Sequence, residues 1–525
     1  MRRHLPIVYV LLLVLLVGVA GFLRFERLAE KPMHTDEAVQ AYKVAQLLTG
    51  SGYVYDPVDH HGPAMYYLAA GVCRLAGETS FARMTEESLR SLPAFFGLLL
   101  ALTPLLWGKC GVRRKVIFVT VALAVASPMA VYYARYFIQE TLFVCCFWAA
   151  LPLCWRLWRH PDDSPRRRWG LAVAAGALLG LAVALKETWV LMAAATGTAG
   201  LLVAWRSKGN FSGGEGFFWR RQTPWLGLAV ALLVVTGLFY SSFGSHPRGV
   251  IDAVTAYAGY WGKTSGGPHD KSFGWYFQVL FGSKFGLREL LTGLGCLLLL
   301  PQLWGRTIRD AEERAVAWFA LLSGGILYVL YSLIAYKTPW LLLGVLPPLW
   351  LAAGFGYAGL WQHFARRRIP AWVGAGLCLV GVFYLGRSAR FFAHRFATDE
   401  RNPMAYVHAT GEMERVRELA GRLAAVADPE SFKIQVFAEE YWPLPWYFRA
   451  WRSEFFPPLT PDPAVPVNAA LVITDAHWEP VVAGQADVPY VHDFVGLRPN
   501  VLLQMRVRED LLQRSIAQRS GKPNE

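Results

Sequence analysis

Apolar positions come in long blocks along this chain, and polar positions gather between them. Apolar runs occur at 5–23, 89–107, 116–132, 137–158, 169–185, 189–205, 225–243, 287–304, 315–334, 340–361 and 371–385. Most are about 17–22 residues long, the length a helix needs to cross a hydrocarbon core of about 30 Å. The pattern predicts an all-α polytopic membrane protein of about 11 transmembrane helices. Two polar connections are long, 24–88 and 244–286. From residue 387 the blocks stop and the composition becomes that of a soluble domain.

The short connections carry a second signal. Those at 109–115, 159–168, 206–221, 306–314 and 366–368 are rich in Lys and Arg. Strict alternation from a cytoplasmic N-terminus puts each of them on the cytoplasmic side, where positive charge accumulates. Both long loops, the turns at 135–140, 186–188 and 335–339, and the tail 387–525 then share the extracytoplasmic face. The expected organisation is a transmembrane domain 1–386 and a soluble domain 387–525. Arg2 and Arg3 before the first run also fit a signal peptide, with Val19-Ala20 as a cleavage-like pair. The many spans behind it favour an uncleaved first helix.

Within the first loop, helical spacing from Asp36 to Leu48 ends at Gly50, and Pro63 opens an amphipathic helix over 64–76. The second loop predicts a helix over 252–261, a flexible stretch 264–268, and an aromatic stretch 273–277. The tail reads as a helix over 403–425, a strand over 433–437, a short aromatic helix over 444–452, a Pro-rich linker 457–466, a strand over 469–474 and an extended pair near 491–507. That is a small α/β domain.

Composition agrees with the block pattern. The chain is 54% hydrophobic and 17% charged, against about 25% charged in soluble domains, and its mean hydropathy is +0.30. The net charge of +14 sits in short segments between apolar runs, which speaks for topology and against nucleic acid as a partner. The seven cysteines show no CxxC or Cys/His metal spacing, and their odd number argues against a disulfide framework. Gly354-Phe355-Gly356-Tyr357-Ala358-Gly359 fits G-x-G-x-x-G but lies inside an apolar run, where helix packing explains it. Asn210-Phe211-Ser212 fits a glycosylation acceptor but falls in a connection assigned to the cytoplasm.

The candidate chemistry lies on the extracytoplasmic face. Asp36-Glu37 is an acidic pair just past the first run. It reads as a helix cap, as a base able to take a proton from a hydroxyl, or as both, the cap fixing the geometry of the acid. Glu140, in the turn Arg135-Tyr136-Phe137-Ile138-Gln139-Glu140, enters a helix at membrane depth, where a carboxylate is costly. It either closes the turn on Arg135 or acts on substrate. Lys186-Glu187 and Lys337-Thr338-Pro339-Trp340 interrupt runs with almost no loop. Their lysines either snorkel or bind phosphate, and Trp189 and Trp340 beside them can stack on a sugar or fill a lipid groove. His60 and His61, as hydrogen-bonding groups or as ligands of a divalent cation with Asp36 and Glu140, complete the set.

His34-Thr35-Asp36-Glu37-Ala38, His61-Gly62-Pro63, Phe137-Ile138-Gln139-Glu140-Thr141, Lys186-Glu187, Tyr336-Lys337-Thr338-Pro339-Trp340 and the tail segment from Glu440 to Tyr447 form an ordered set over nearly the whole chain. In it the chain resembles the GT-C membrane glycosyltransferases of the protein O-mannosyltransferase and lipid A aminoarabinose transferase type. It is most similar to a prokaryotic subfamily named for association with an archaeal lipid-glycan flippase. The resemblance implies an inverting transferase of the cell membrane that uses a polyprenyl-phosphate-linked sugar donor. The acceptor would be an extracytoplasmic hydroxyl on a glycan, lipid or protein. Asp36 would be the base, with Glu37 and Glu140 as the other catalytic acids. Arg135, Lys186, Glu187, Lys337, Trp340, His60 and His61 would bind substrate. The alternative is a non-enzymatic accessory of lipid-linked glycan transport, which needs the cations but not the acids. An ion-coupled transporter fits less well, because the polar residues crowd at helix ends rather than mid-span.

Overall fold

The computed structural model describes residues 5–50, 53–58, 61–206, 216–262, 269–282, 288–305, 307–368, 370–456 and 466–520. His60, Arg2, Arg3, the Asn210 motif, the 264–268 stretch and most of the 457–466 linker lie outside the described residues. The chain forms two compact units. One comprises 1–28, 52–69 and 90–397; the other comprises 29–51, 70–89 and 398–525.

The first unit is helical, and every apolar run forms helix. Among the described residues, six stretches are long and apolar enough to cross a membrane. They are Glu86–Cys110, Gln139–Arg159, Trp189–Arg206, Thr223–Tyr240, Ala311–Leu333 and Gly376–Ala393. Tyr9–Phe25 and Leu290–Trp304 are apolar but shorter. The other runs, at Arg114–Ala126 with Pro128–Tyr133, Pro165–Val183 and Leu346–Arg366, are helical but broken or more polar.

The break at 127 departs from the continuous helix expected over 116–132, and proline chemistry explains it. Pro128 has no N–H, so the Ala124 carbonyl four residues back loses its helical donor. Buried Arg24 takes over, its Nη2 donating to Ala124 O at 3.1 Å and its Nη1 to Val125 O at 3.2 Å. Ser127 Oγ caps the next helix by accepting from Ala130 N at 3.2 Å. Glu289, also buried, accepts from Ser127 Oγ at 2.5 Å and from Thr292 Oγ1 at 3.1 Å.

Three basic connections meet at one end of this unit. Glu312 pairs with Arg159 at 2.8 Å, and Glu313 pairs with Arg113 at 2.6 Å. The G-x-G-x-x-G run packs helices as its position in an apolar segment implies. A Cβ on Gly354 would meet Thr120 Oγ1 at 2.1 Å, and one on Gly356 would meet Gly295 O at 1.9 Å.

The second unit holds a five-stranded sheet. Its strands are β1 (Ile434–Phe437), β2 (Ser453–Phe456), β3 (Leu471–Thr474), β4 (Tyr490–Arg498) and β5 (Val501–Arg508), in the order β2-β1-β3-β5-β4. β1 is parallel to β2 and β3; β5 is antiparallel to β3 and β4. Its core is Phe437, Val467, Ala469, Val472, Trp478 and Val482, with Phe437 stacked on Phe456 at 4.6 Å. The helix expected from 403 begins only at Glu412 (Glu412–Val426), since 403–411 turns. The aromatic helix is one turn, Leu444–Tyr447. β2 and the C-terminal helix Glu509–Ser520 were not expected.

Candidate functional site

The acidic pair belongs to the second unit. Helix Thr35–Thr49 starts from His34 in extended conformation and ends at Gly50, whose φ of 70° is the left-handed cap that glycine favours. The start is a capping box. Asp36 N donates to His34 Nδ1 at 3.0 Å, and Glu37 Oε2 accepts from His34 N at 3.0 Å. The two acids therefore part company. Glu37 is fully buried in the cap, whereas the Asp36 side chain is 46% exposed.

The tail supplies the socket for this turn. Tyr447 Oη accepts from Met33 N at 2.8 Å, and Thr35 Oγ1 donates to Trp442 O at 3.2 Å. Arg498 reaches Thr35 Oγ1 at 3.2 Å and also pairs with Glu440. The His34 ring bonds Tyr406 O through Nε2 at 3.2 Å. Because a carbonyl accepts only and an amide N–H donates only, these two bonds fix His34 as the neutral Nε2–H tautomer. The same tail segment binds the other end of the first loop, with Trp446 Nε1 donating to Glu86 Oε1 at 2.6 Å.

This geometry gives a pH prediction. His34 and His408 are both buried, with ring centroids 5.3 Å apart. Burial holds both below the usual histidine value, with Lys31 in the same direction and Asp36 and Glu37 opposing it for His34. The unfolded chain then binds more protons than the folded one, so stability rises with pH up to about 6.5 and is lost as pH falls below it. Amide exchange over 35–49, corrected for intrinsic rates, is expected to be flat above about pH 7 and to quicken below about 6.5. His408→Phe should flatten that dependence. An unchanged profile in the variant would remove His408 from the account.

The remaining candidates belong to the first unit. Glu140, in the first turn of Gln139–Arg159, pairs with Lys186, and both are buried. The expectation of an Arg135–Glu140 closure is replaced by this pair. Arg135 instead caps the end of the first helix, donating to the carbonyls of Leu23 at 3.4 Å, Arg24 at 3.3 Å and Arg27 at 3.1 Å. A cation at a helix C-terminus is favoured by the dipole there.

Glu187 lies next to Lys186 and receives His61 Nδ1 at 2.9 Å. Burial opposes its charge, yet the imidazole and its hydrogen bond hold the carboxyl below its usual value. Gly62 permits this approach. Ala64 N bonds Ala184 O at 3.0 Å, and a Cβ on Gly62 would lie 2.3 Å from that oxygen.

Lys337 sits where 269–271 pairs with 335–337. Its buried ammonium donates to Lys271 O at 3.1 Å and to Ile334 O. Among the described residues no carboxylate is within ion-pair distance, and Asp270 acts only at longer range. Burial pulls its pKa down from the ordinary lysine value. Trp340 packs against Tyr133 and Tyr136, with centroids 6.5 Å and 6.4 Å away.

For a divalent cation, no group of three His, Cys, Asp or Glu side chains comes together among the described residues. Of the four candidate ligands, His60 lies outside the described residues, Glu140 carries Lys186 and His61 carries Glu187. The described residues do not form a site that fits a metal ion.

An apolar cavity of about 360 Å³ lies between the helices, lined by Phe147, Trp155, Trp158, Trp189, Gly200 and Trp225 among others. From Trp189 to Gly200 it follows a helix for about 16 Å, roughly half a hydrocarbon core. Arg24, Glu289 and Arg498 were not singled out from the sequence. Arg24 and Glu289 looked like ends of apolar runs, and only the position of Pro128 hinted that polar groups were needed there.

No family model matches the sequence, and no curated protein matches it by sequence. Solved structures do match in fold. ArnT from Cupriavidus metallidurans, solved bound to undecaprenyl phosphate, aligns with a TM-score of 0.64 at 16% identity, over 95% of this chain and 98% of that one. The Archaeoglobus fulgidus oligosaccharyltransferase AglB, solved with an inhibitory peptide and a dolichol-phosphate, aligns with a TM-score of 0.52 at 10% identity, over 97% and 77%. The chain is similar in fold to these two solved structures along nearly its whole length.

Proposed function

We propose that this chain is an inverting glycosyltransferase of the cell membrane. It moves a sugar from a polyprenyl-phosphate donor to a hydroxyl on an extracytoplasmic glycan, lipid or protein. The observation that carries the reading is the likeness, over 95% of the chain, to a fold solved around a polyprenyl phosphate. The N-terminus lies in the cytoplasm, and the acid-bearing turn and tail lie outside.

Three features support particular roles. Asp36 keeps an exposed carboxylate on a backbone fixed by a cap, as a base for the acceptor hydroxyl requires. As that oxygen attacks the anomeric carbon, the bond to the phosphate oxygen breaks and the lipid phosphate leaves with the electron pair. Lys337 is the cation for that phosphate, because backbone carbonyls orient it without cancelling its charge. The apolar cavity suits an isoprenoid chain. In this reading Arg135, Glu140 and Lys186 brace the turns.

The test uses the full chain in proteoliposomes with radiolabelled undecaprenyl-phosphoryl sugars. Lys337→Met keeps the side-chain stem and removes the charge. Loss of one charge-assisted hydrogen bond predicts a dissociation constant for undecaprenyl phosphate raised about ten- to hundred-fold. Binding within two-fold of wild type would remove Lys337 from the donor site. Loss of function with Lys337→Met but not with Asp36→Asn would favour the lipid-transport accessory.

A further inference from the structure

Three segments of the first unit come together around the connection 184–188. That connection carries Glu187, on which His61 of the first loop sits at 2.9 Å; Tyr55 of the same loop packs on Tyr240, whose Oη donates to Val183 O at 3.2 Å, and helix Gly249–Gly262 brings Tyr257 to Trp189. Glu187 is 6% exposed. Its Oε2 is taken by His61, but its Oε1 is buried and reaches no hydrogen-bond partner among the described residues; nor does the neighbouring Thr188 Oγ1. A buried polar oxygen without a partner is costly, more so when charged, and calls for a ligand, an ion or ordered water to satisfy it.

The surroundings are aromatic. Tyr55 packs on Tyr240 with centroids 4.9 Å apart, and Trp189 Nε1 donates to Tyr257 Oη at 2.7 Å. Burial, reinforced by the Glu187 charge, holds both the Tyr55 and the Tyr257 hydroxyl above the usual tyrosine value, so they stay protonated. Tyr257 and the His61 side chain remain 37% and 38% exposed, so the cluster opens to the outside. An acceptor oxygen, a hydroxyl and protonated phenols on aromatic walls match a carbohydrate, which offers hydroxyl donors and a C–H face. Glu187 already has the His61 imidazole on one oxygen and Lys186 beside it in the chain, so its other oxygen calls for a neutral donor rather than a second cation.

We infer that Glu187, Thr188 and Tyr55 form the subsite for the sugar ring of the donor, with a ring hydroxyl donating to Glu187 Oε1. This rests on the transferase reading above, which assigns the phosphate to Lys337 and leaves the sugar unassigned.

The experiment compares thermal stabilisation of the full chain in detergent by two probes. One is undecaprenyl phosphate, and the other is undecaprenyl phosphate esterified to mannose, glucose or arabinose. For Glu187→Gln, the dissociation constant for at least one sugar-bearing probe is expected to rise ten-fold or more, with that for bare undecaprenyl phosphate within two-fold of wild type. Thr188→Val should show the same selectivity with a smaller rise. Lys337→Met should weaken both probes together. Sugar-bearing probes binding Glu187→Gln as they bind wild type would overturn the inference, leaving water on Glu187 Oε1. Equal losses for both probes in a folded Glu187→Gln would overturn it too. If wild type binds no undecaprenyl phosphate, the transferase reading fails instead. The subsite is then tested with methyl mannoside, glucoside and arabinoside, and no difference between wild type and Glu187→Gln would sink it.

Discussion

Asp36→Asn is expected to lower sugar transfer about 10²–10⁴-fold while leaving the fold and donor binding unchanged. The amide matches the carboxylate in shape and leaves the backbone N–H that donates to His34 Nδ1 in place. What disappears is the basic oxygen that takes the acceptor proton. Glu37→Gln is the control next door. Its oxygen can still accept from His34 N, as glutamine does in a capping box, so transfer should stay within a few-fold of wild type. Glu37→Ala should cost about 0.5–2 kcal/mol of stability through the lost cap. The measurements are transfer rate, undecaprenyl phosphate binding and thermal unfolding on the same three variants. Asp36→Asn retaining more than a tenth of wild-type transfer would sink the base assignment. A reversed order, with Glu37→Gln inactive and folded, would move the chemistry to the buried acid.

The sequence made both readings of Asp36-Glu37 legible but could not divide them. Cap and base were compatible readings of one acidic pair. The structure gives the cap to Glu37 and leaves the outward carboxylate to Asp36, because consecutive residues in a helix's first turn point about 100° apart. The membrane helices were legible because their signal is summed over some twenty residues. The break at 127 was not, since Ser127 and Pro128 interrupt the apolar run without ending it. The polar partners that repair it, Arg24 and Glu289, come from about 100 and 160 residues away in the chain. The Lys186 and Lys337 motifs looked equivalent from sequence, each a lysine at a helix end. They differ through long-range partners: Glu140 cancels one charge, whereas backbone carbonyls and the Tyr276 ring face the other. Likewise, the motif from Glu440 to Tyr447 stood out as a pattern, but its use as a socket for the turn at 33–36 depends on contacts about 400 residues apart in the chain.

Glu140→Ala is expected to destabilise the helical unit by about 3–5 kcal/mol, because it strips the carboxylate from a buried ammonium. Lys186→Ala should cost a similar amount by stranding the acid. The two losses should not add. In Glu140→Leu with Lys186→Met, both charges leave together, side-chain volume is kept, and much of the stability should return. Unfolding in mixed micelles by titrated SDS reads this cycle directly. The double variant also separates a brace from a substrate-binding pair. If Glu140 and Lys186 only hold the connection that carries Glu187, a stable double variant should transfer sugar within about ten-fold of wild type. That ceiling allows about 1.4 kcal/mol for small displacements of the neighbouring carboxylate. A double variant as stable as wild type but more than a hundred-fold slower would show that these charges act on the substrates. Lys186 would then join Lys337 at the leaving phosphate.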